Sequence, residues 1–95
     1  MLITVEDRLV VANDVNADGI VVGDAYMLEG GSTTFPRAFI WTKDSGASFL
    51  ETRVSNMPEN VHLSNAHAIG DGGHVLAYAV APGQSLGWVL LTPEP

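Results

Sequence analysis

The sequence predicts a single all-β domain built from two related units, and three observations carry that expectation. Residues 11–26 read as two strands closed by a tight turn, Val-Ala-Asn-Asp-Val-Asn-Ala-Asp-Gly-Ile-Val-Val-Gly-Asp-Ala-Tyr. The pattern returns in residues 66–79: laying Gly73 over Gly19 places Ala66 on Ala12, Ile69 on Val15, Val75 on Val21, Leu76 on Val22 and Ala79 on Ala25, an internal repeat at an offset of 54 residues. No stretch sustains a helical period between caps. The expected units are residues 9–54 and 61–92, each supplying most of a four-stranded antiparallel sheet. A small β-sandwich is the alternative arrangement.

Composition sets outer limits. Ninety-five residues make one domain, which buries about 60 to 70% of the surface its unfolded chain exposes. Apolar residues form 46% of the chain and charged ones 16%, with ten Gly and five Pro, a balance that suits a turn-rich globular fold. Four basic against eleven acidic residues give a net charge of −7, so no basic stripe is available to neutralise phosphates. Nucleic acid and anionic membrane surfaces are poor partners on that ground. Cysteine is absent, which removes disulfides, thiolate metal sites and Cys nucleophiles together. No apolar run is long enough to span a membrane, and Met1-Leu-Ile-Thr-Val-Glu lacks the basic start and long apolar core of a signal peptide.

In chain order, residues 2–5 form a short β-type run that ends in Glu6-Asp7-Arg8. Residues 9–16 carry Val10, Val11 and Val15, and Asp18-Gly19 then supplies the positive φ angles of a two-residue hairpin turn. Residues 20–26 lead away, their Ile-Val-Val run being continuous, as expected where both faces of a strand are covered. Residues 28–34 are a loop by composition, and Pro36 opens the next strand, residues 37–42. A turn at residues 43–46 and a returning strand at 48–54 precede a second loop, residues 56–60. The repeat then gives strands at 61–69 and 74–80 about a turn at Gly72-Gly73, a loop at 82–85 and a last strand at 86–92. Eight short strands and essentially no helix are expected.

Two motifs carry a resemblance. Asn16-Ala-Asp-Gly19-Ile-Val-Val-Gly23 with Arg37-Ala-Phe-Ile-Trp41 resembles the bacterial probable extracellular repeat known as the HAF repeat, over about residues 9–92. The second copy is degenerate, with Gly70 in place of the Asn and Leu86-Gly-Trp-Val-Leu in place of the aromatic motif. Thr42-Lys-Asp-Ser-Gly-Ala-Ser-Phe49 is similar to the Asp-box of sialidase-type propellers. The resemblance implies two four-stranded propeller-like blades, an incomplete propeller, in an exported protein at or outside the bacterial cell surface, without assigned activity. In that setting Asp44 would tie down its own turn beside Gly46 by bonding nearby backbone N–H groups.

Candidate chemistry is thin. Oxygens at Asp14, Asn16 and Asp18 ahead of Gly19 resemble the start of a dockerin or EF-hand calcium loop. Counted from Asp14, however, positions 9 and 12 are Val22 and Ala25, and Asp24 stands one residue early, so the closing bidentate carboxylate is missing. The hairpin reading is preferred, with calcium as the only cofactor alternative. His62, His67 and His74 lack an accompanying carboxylate cluster and read as polar residues on strand rims. Ser64 and Ser85 lack a nucleophile elbow, and the Gly30-Gly31 and Gly72-Gly73 pairs lead into no phosphate-binding helix. Trp41, Trp88, Tyr26 and Tyr78 could line a carbohydrate platform, but their place in repeated strands favours core packing. A terminal Pro-Glu-Pro resembles the opening of a sorting signal without its apolar segment.

These readings point to a non-catalytic extracellular repeat module, not an enzyme, with a structural role or an unidentified protein or glycan ligand. A calcium-dependent docking module and a fragment of a propeller hydrolase are the alternatives. Two units cannot cover both faces of their sheets, so additional repeats or a homo-oligomer are expected partners.

Overall fold

The computed structural model describes residues 4–5, 8–26 and 36–92. The described residues form eight β-strands and no α-helix: β1 (Thr4–Val5), β2 (Arg8–Val15), β3 (Val21–Tyr26), β4 (Arg37–Thr42), β5 (Gly46–Phe49), β6 (His62–Ile69), β7 (Val75–Ala81) and β8 (Gln84–Leu91). Two antiparallel sheets result, one in the order β1-β2-β3-β4-β5, where β1 is a two-residue flange, and one in the order β6-β7-β8. Among the described residues the second sheet has three strands, matching the three read at residues 61–69, 74–80 and 86–92 and short of the four of a full blade. The loop expected at residues 28–34, with Gly30-Gly31, and the terminal Pro-Glu-Pro lie outside the described residues.

The hairpins β2–β3 and β6–β7 share their register from Val11 and Asn65 to the turn; ahead of Asn65, β6 has a further irregularity at Ser64. Ala12 pairs with Gly23 and Ala66 with Ala77; Asp14 pairs with Val22 and Ala68 with Leu76. Between these pairs each hairpin carries one bulged residue, Asn13 in β2 and His67 in β6. The loops agree as well. Gly19 N–H donates to Asn16 O and Gly73 N–H to Gly70 O, both at 3.0 Å, while the N–H of Asn16 and of Gly70 reach Ile20 O and His74 O. Gly19 and Gly73 have φ of +80° and +89°.

The loop geometry corrects the expected two-residue turn. Only the third loop residue is left-handed, the pattern of a three-residue hairpin loop, so neither Asp18 nor Gly72 supplies a positive φ. In the first loop Asn16 Oδ1 braces this turn, accepting from the N–H of Asp18 and of Ile20, both at 3.0 Å, while the second loop forms it from the backbone with Gly70 at the matching place. A second correction concerns the turn after β4. There Gly46 is left-handed at +72°, but the tie is Thr42 Oγ1, which accepts from Ser45 N–H at 3.0 Å; Asp44 is exposed. The hydroxyl two residues earlier already fills the role given to the carboxylate.

The strand expected over residues 48–54 stops at Phe49 and turns into a 3-10 helix, Leu50–Arg53. The tighter coil drops Leu50 into the core at 3% exposure and presents Glu51 to the second sheet. Between the sheets lie Val22, Ala38 and Leu50 from one side and Leu63, Ala66, Ile69, Val75, Ala77 and Ala79 from the other. Four alanines in that cluster keep the side chains short enough for the layers to approach closely. The first sheet is covered on its other face too, as the continuous run of β3 implied and although two units were not expected to cover both faces: Gly23, Ala25 and Phe39 are buried there, and β1 at one edge approaches β5 at the other, so the sheet curls on itself.

Candidate functional site

β6 is an edge strand, and across its free side lie β2, β3 and β4 of the first sheet. No strand pairs with that side, yet its polar groups are met. Leu63 N–H donates to Glu51 Oε2 at 3.2 Å, Ala66 N–H to Asp24 Oδ1 at 3.2 Å and Ile69 N–H to Asp14 Oδ2 at 2.9 Å. In the opposite sense Asn13 Nδ2 donates to Ala66 O at 2.8 Å and Asn16 Nδ2 to Gly70 O at 3.1 Å. The second unit answers once, Asp71 Oδ1 accepting from Ala17 N–H at 2.9 Å. Side chains thus replace a neighbouring strand along this edge, which protects it from pairing with another chain.

Electrostatics follow from these contacts. Burial alone would raise the Glu51 carboxyl, but Arg37, the Leu63 N–H and His62 all favour its charged form and hold it below its ordinary value. His62 Nδ1 stands 3.3 Å from Glu51 Oε2, and the Arg37 guanidinium also lies 5.4 Å from the Phe49 ring centre. Tyr26 donates its hydroxyl to Asp24 Oδ2 at 3.3 Å. Burial first, then the Asp24 charge and that hydrogen bond, push the Tyr26 hydroxyl above its ordinary value.

The calcium candidates are engaged in this network. Asp14 accepts from Val15 N–H through Oδ1 and from Ile69 N–H through Oδ2, and Asn16 Oδ1 takes two N–H groups. A cation there would meet an Asn16 Oδ1 already holding two donors and Asp14 oxygens that each hold one; Asp18 is exposed. Among the described residues no three His, Asp or Glu side chains are grouped to hold a metal ion. Ser64 is buried, its hydroxyl donating to Asn65 Oδ1 at 2.7 Å, and Ser85 is exposed.

Two of the cavities among the described residues bear on function. One of about 530 Å³ lies where the sheets part, lined in equal measure by apolar groups such as Ile40, Leu50 and Leu91 and by polar ones such as Arg53, Asn56 and Thr92. The other, about 300 Å³, is lined by Asn13, Asp24, Asn65, His67 and Trp88. Its architecture is specific: the bulged residues at matching places of the repeat, Asn13 and His67, stand in it together, and a bulge re-aims a side chain out of the pleat. Trp88 meets His67 edge to face at 5.5 Å and Tyr78 at 5.1 Å. Core packing was expected of Trp88 and Tyr26, but they are 56% and 40% exposed. The reason is register: Val89 and Leu91 turn into the core, so Trp88 and Leu90 on the same strand turn out.

The residues that matter here and were not singled out in the sequence are Asn13, Glu51 and Asn65, with Asp24 noted only as a misplaced calcium ligand. Comparing the two copies would have found part of the set. Asp14, Asn16 and Asp24 stand opposite Ala68, Gly70 and Tyr78 at the repeat offset, polar groups in one copy facing none or an aromatic in the other. Compared with known proteins, the chain matches no family model, no curated protein and no solved structure.

Proposed function

We propose that this chain is a non-catalytic interaction module, a HAF-type repeat pair of propeller-like blades working outside the bacterial cell, whose contact surface is the cleft between Asn13 and His67. The observation that carries the reading is the division of labour among polar side chains. Asp14, Asn16, Asp24 and Glu51 are spent on the backbone of β6, while Trp88 and His67 are turned to solvent beside them. A rigid junction that presents an exposed aromatic ring with several amide and carboxylate groups is built to hold a ligand.

The test is residue-resolved NMR of the labelled chain with mixtures of small probes: neutral sugars, short peptides, nucleosides and divalent cations. Chemical-shift changes gathered on Asn13, Asn65, His67 and Trp88, with every probe recovered unchanged, are the expected result. Changes gathered elsewhere, or chemical conversion of a probe, would refute the assignment.

A further inference from the structure

We infer that the cleft lined by Asn13, Asp24, Asn65, His67 and Trp88 is a glycan subsite that takes a neutral sugar ring against the Trp88 indole. The inference rests on the interaction reading above and narrows it to one ligand class.

A pyranose ring has an apolar face of C–H groups and a rim of hydroxyls that both donate and accept. Such a ligand needs an exposed aromatic surface and mixed hydrogen-bonding groups beside it. Trp88 is the surface: it is 56% exposed and braced by Tyr78 at 5.1 Å and His67 at 5.5 Å, both edge to face, so its ring is held in place before a ligand arrives. The rim groups are mixed in kind. Asn13 uses Nδ2 on Ala66 O and keeps its Oδ1 as an acceptor, while Asn65 accepts the Ser64 hydroxyl on Oδ1 and keeps its Nδ2 as a donor. Each Asp24 oxygen accepts one bond, from Ala66 N–H or Tyr26 OH, and has a second lone pair for a sugar hydroxyl.

Charge and size select within the glycans. The chain carries a net charge of −7, Asp24 stands in the cleft and no Lys or Arg lines it, so uronic and sialic acids are disfavoured. At about 300 Å³ the cleft is at the small end of ligand sites, with room for a ring or two while the rest of an oligosaccharide stays in solvent.

The experiment is titration of the intact chain with cellohexaose, xylohexaose, mannohexaose, a galacturonic acid oligomer, a chitosan oligomer and a short neutral peptide, followed by calorimetry and by the Trp88 indole NMR signal. Saturable binding of at least one neutral hexasaccharide is expected. Trp88→Ala should weaken it at least about tenfold with the melting temperature preserved, since the ring is largely outside the core. His67→Ala should weaken it less. Binding of only the acidic or the amino-sugar oligomer, or neutral binding unaffected by Trp88→Ala, would overturn the glycan assignment. Peptide binding at the cleft without sugar binding would also overturn it while leaving the interaction module standing, whereas no response of the cleft to any probe would sink both.

Discussion

Asp24→Ala tests the bridged edge where most depends on one side chain. Asp24 is 7% exposed, and its Oδ1 takes the N–H of Ala66, a residue at 0% exposure. Because β6 is an edge strand, no ladder partner on that side can take the N–H instead. Removing the carboxylate leaves a buried donor unpaired, which costs about 1–3 kcal/mol. With each kcal/mol worth roughly 4–8 °C in a domain of this size, a loss of about 2 kcal/mol lowers the melting temperature by roughly 8–16 °C. Asp24→Asn keeps an acceptor and should lose clearly less. Tyr26→Phe removes only the bond to the other oxygen from a residue that is 40% exposed, and should stay within about 0.5 kcal/mol. Circular dichroism melts give the stabilities, and hydrogen exchange at the Ala66 amide reports the site itself, faster in Asp24→Ala. A melting point within about 2 °C of the wild type, with Ala66 protection unchanged, would refute the reasoning.

Four further outcomes are expected. In Gly23→Ala the new methyl group would fall 1.9 Å from Val11 O and 2.8 Å from Phe39 Cε1, so denaturant melts should show a loss of about 3 kcal/mol or more; at the matching position Ala77 already carries a Cβ, and Ala77→Gly should cost about 1 kcal/mol. Melting curves in millimolar calcium and in chelator should coincide, since the Asp14 and Asn16 oxygens already hold N–H groups, and an upward shift abolished by Asp14→Ala would contradict this. Glu51 has a folded-state value below its ordinary 4.5, so its contribution is complete above that pH and drains away as pH falls below it; Glu51→Gln should flatten the acid limb of a stability–pH curve and leave its neutral-to-basic part parallel. Light scattering after size exclusion at tens of micromolar should give a mass above 10.1 kDa for the wild type, and Leu90→Lys, at a position 63% exposed on the edge strand β8, should return it to that value.

The strands were legible because their signal is local. β-branched and aromatic runs between Gly, Asn and Asp turns mark strands such as β3 and β4, while β6, with Ile69 its one β-branched residue, is marked by the repeat offset, which also predicts that the two hairpins share a register, as Ala12 with Gly23 and Ala66 with Ala77 do. The misreadings were of two kinds. Turn type could not be read from dipeptides: Asp18-Gly19 and Gly72-Gly73 both sit in three-residue loops with one left-handed residue, and Thr42 takes the part assigned to Asp44. The second kind was tertiary. Nothing in the spacing of Asp14, Asn16 and Asp24 distinguishes a cation site from a strand edge 42 to 55 residues away, because both need oxygens held at short intervals. Trp88 was lost for a related reason. Alternation along a strand tells which residues share a face but not which face is covered, and the core took Val89 and Leu91.

The bridges between the units also have a direction, and this bears on what the chain can do with its outer side. Asp14, Asn16 and Asp24 reach forward to the backbone of β6, but at their counterparts stand Ala68, Gly70 and Tyr78, which offer no carboxylate or amide to a further strand edge. The outward face of the second sheet instead carries Trp88 and Leu90 over the half-buried Leu76 and Tyr78. Carboxylate-to-amide bonds fix register, because a shift of one residue leaves donors unpaired. Apolar and aromatic surface attracts in proportion to area and fixes no register at all. The inner junction is therefore specified residue by residue, and the outer face is free to accept a ligand or another copy without the register constraint that joins the two units to each other.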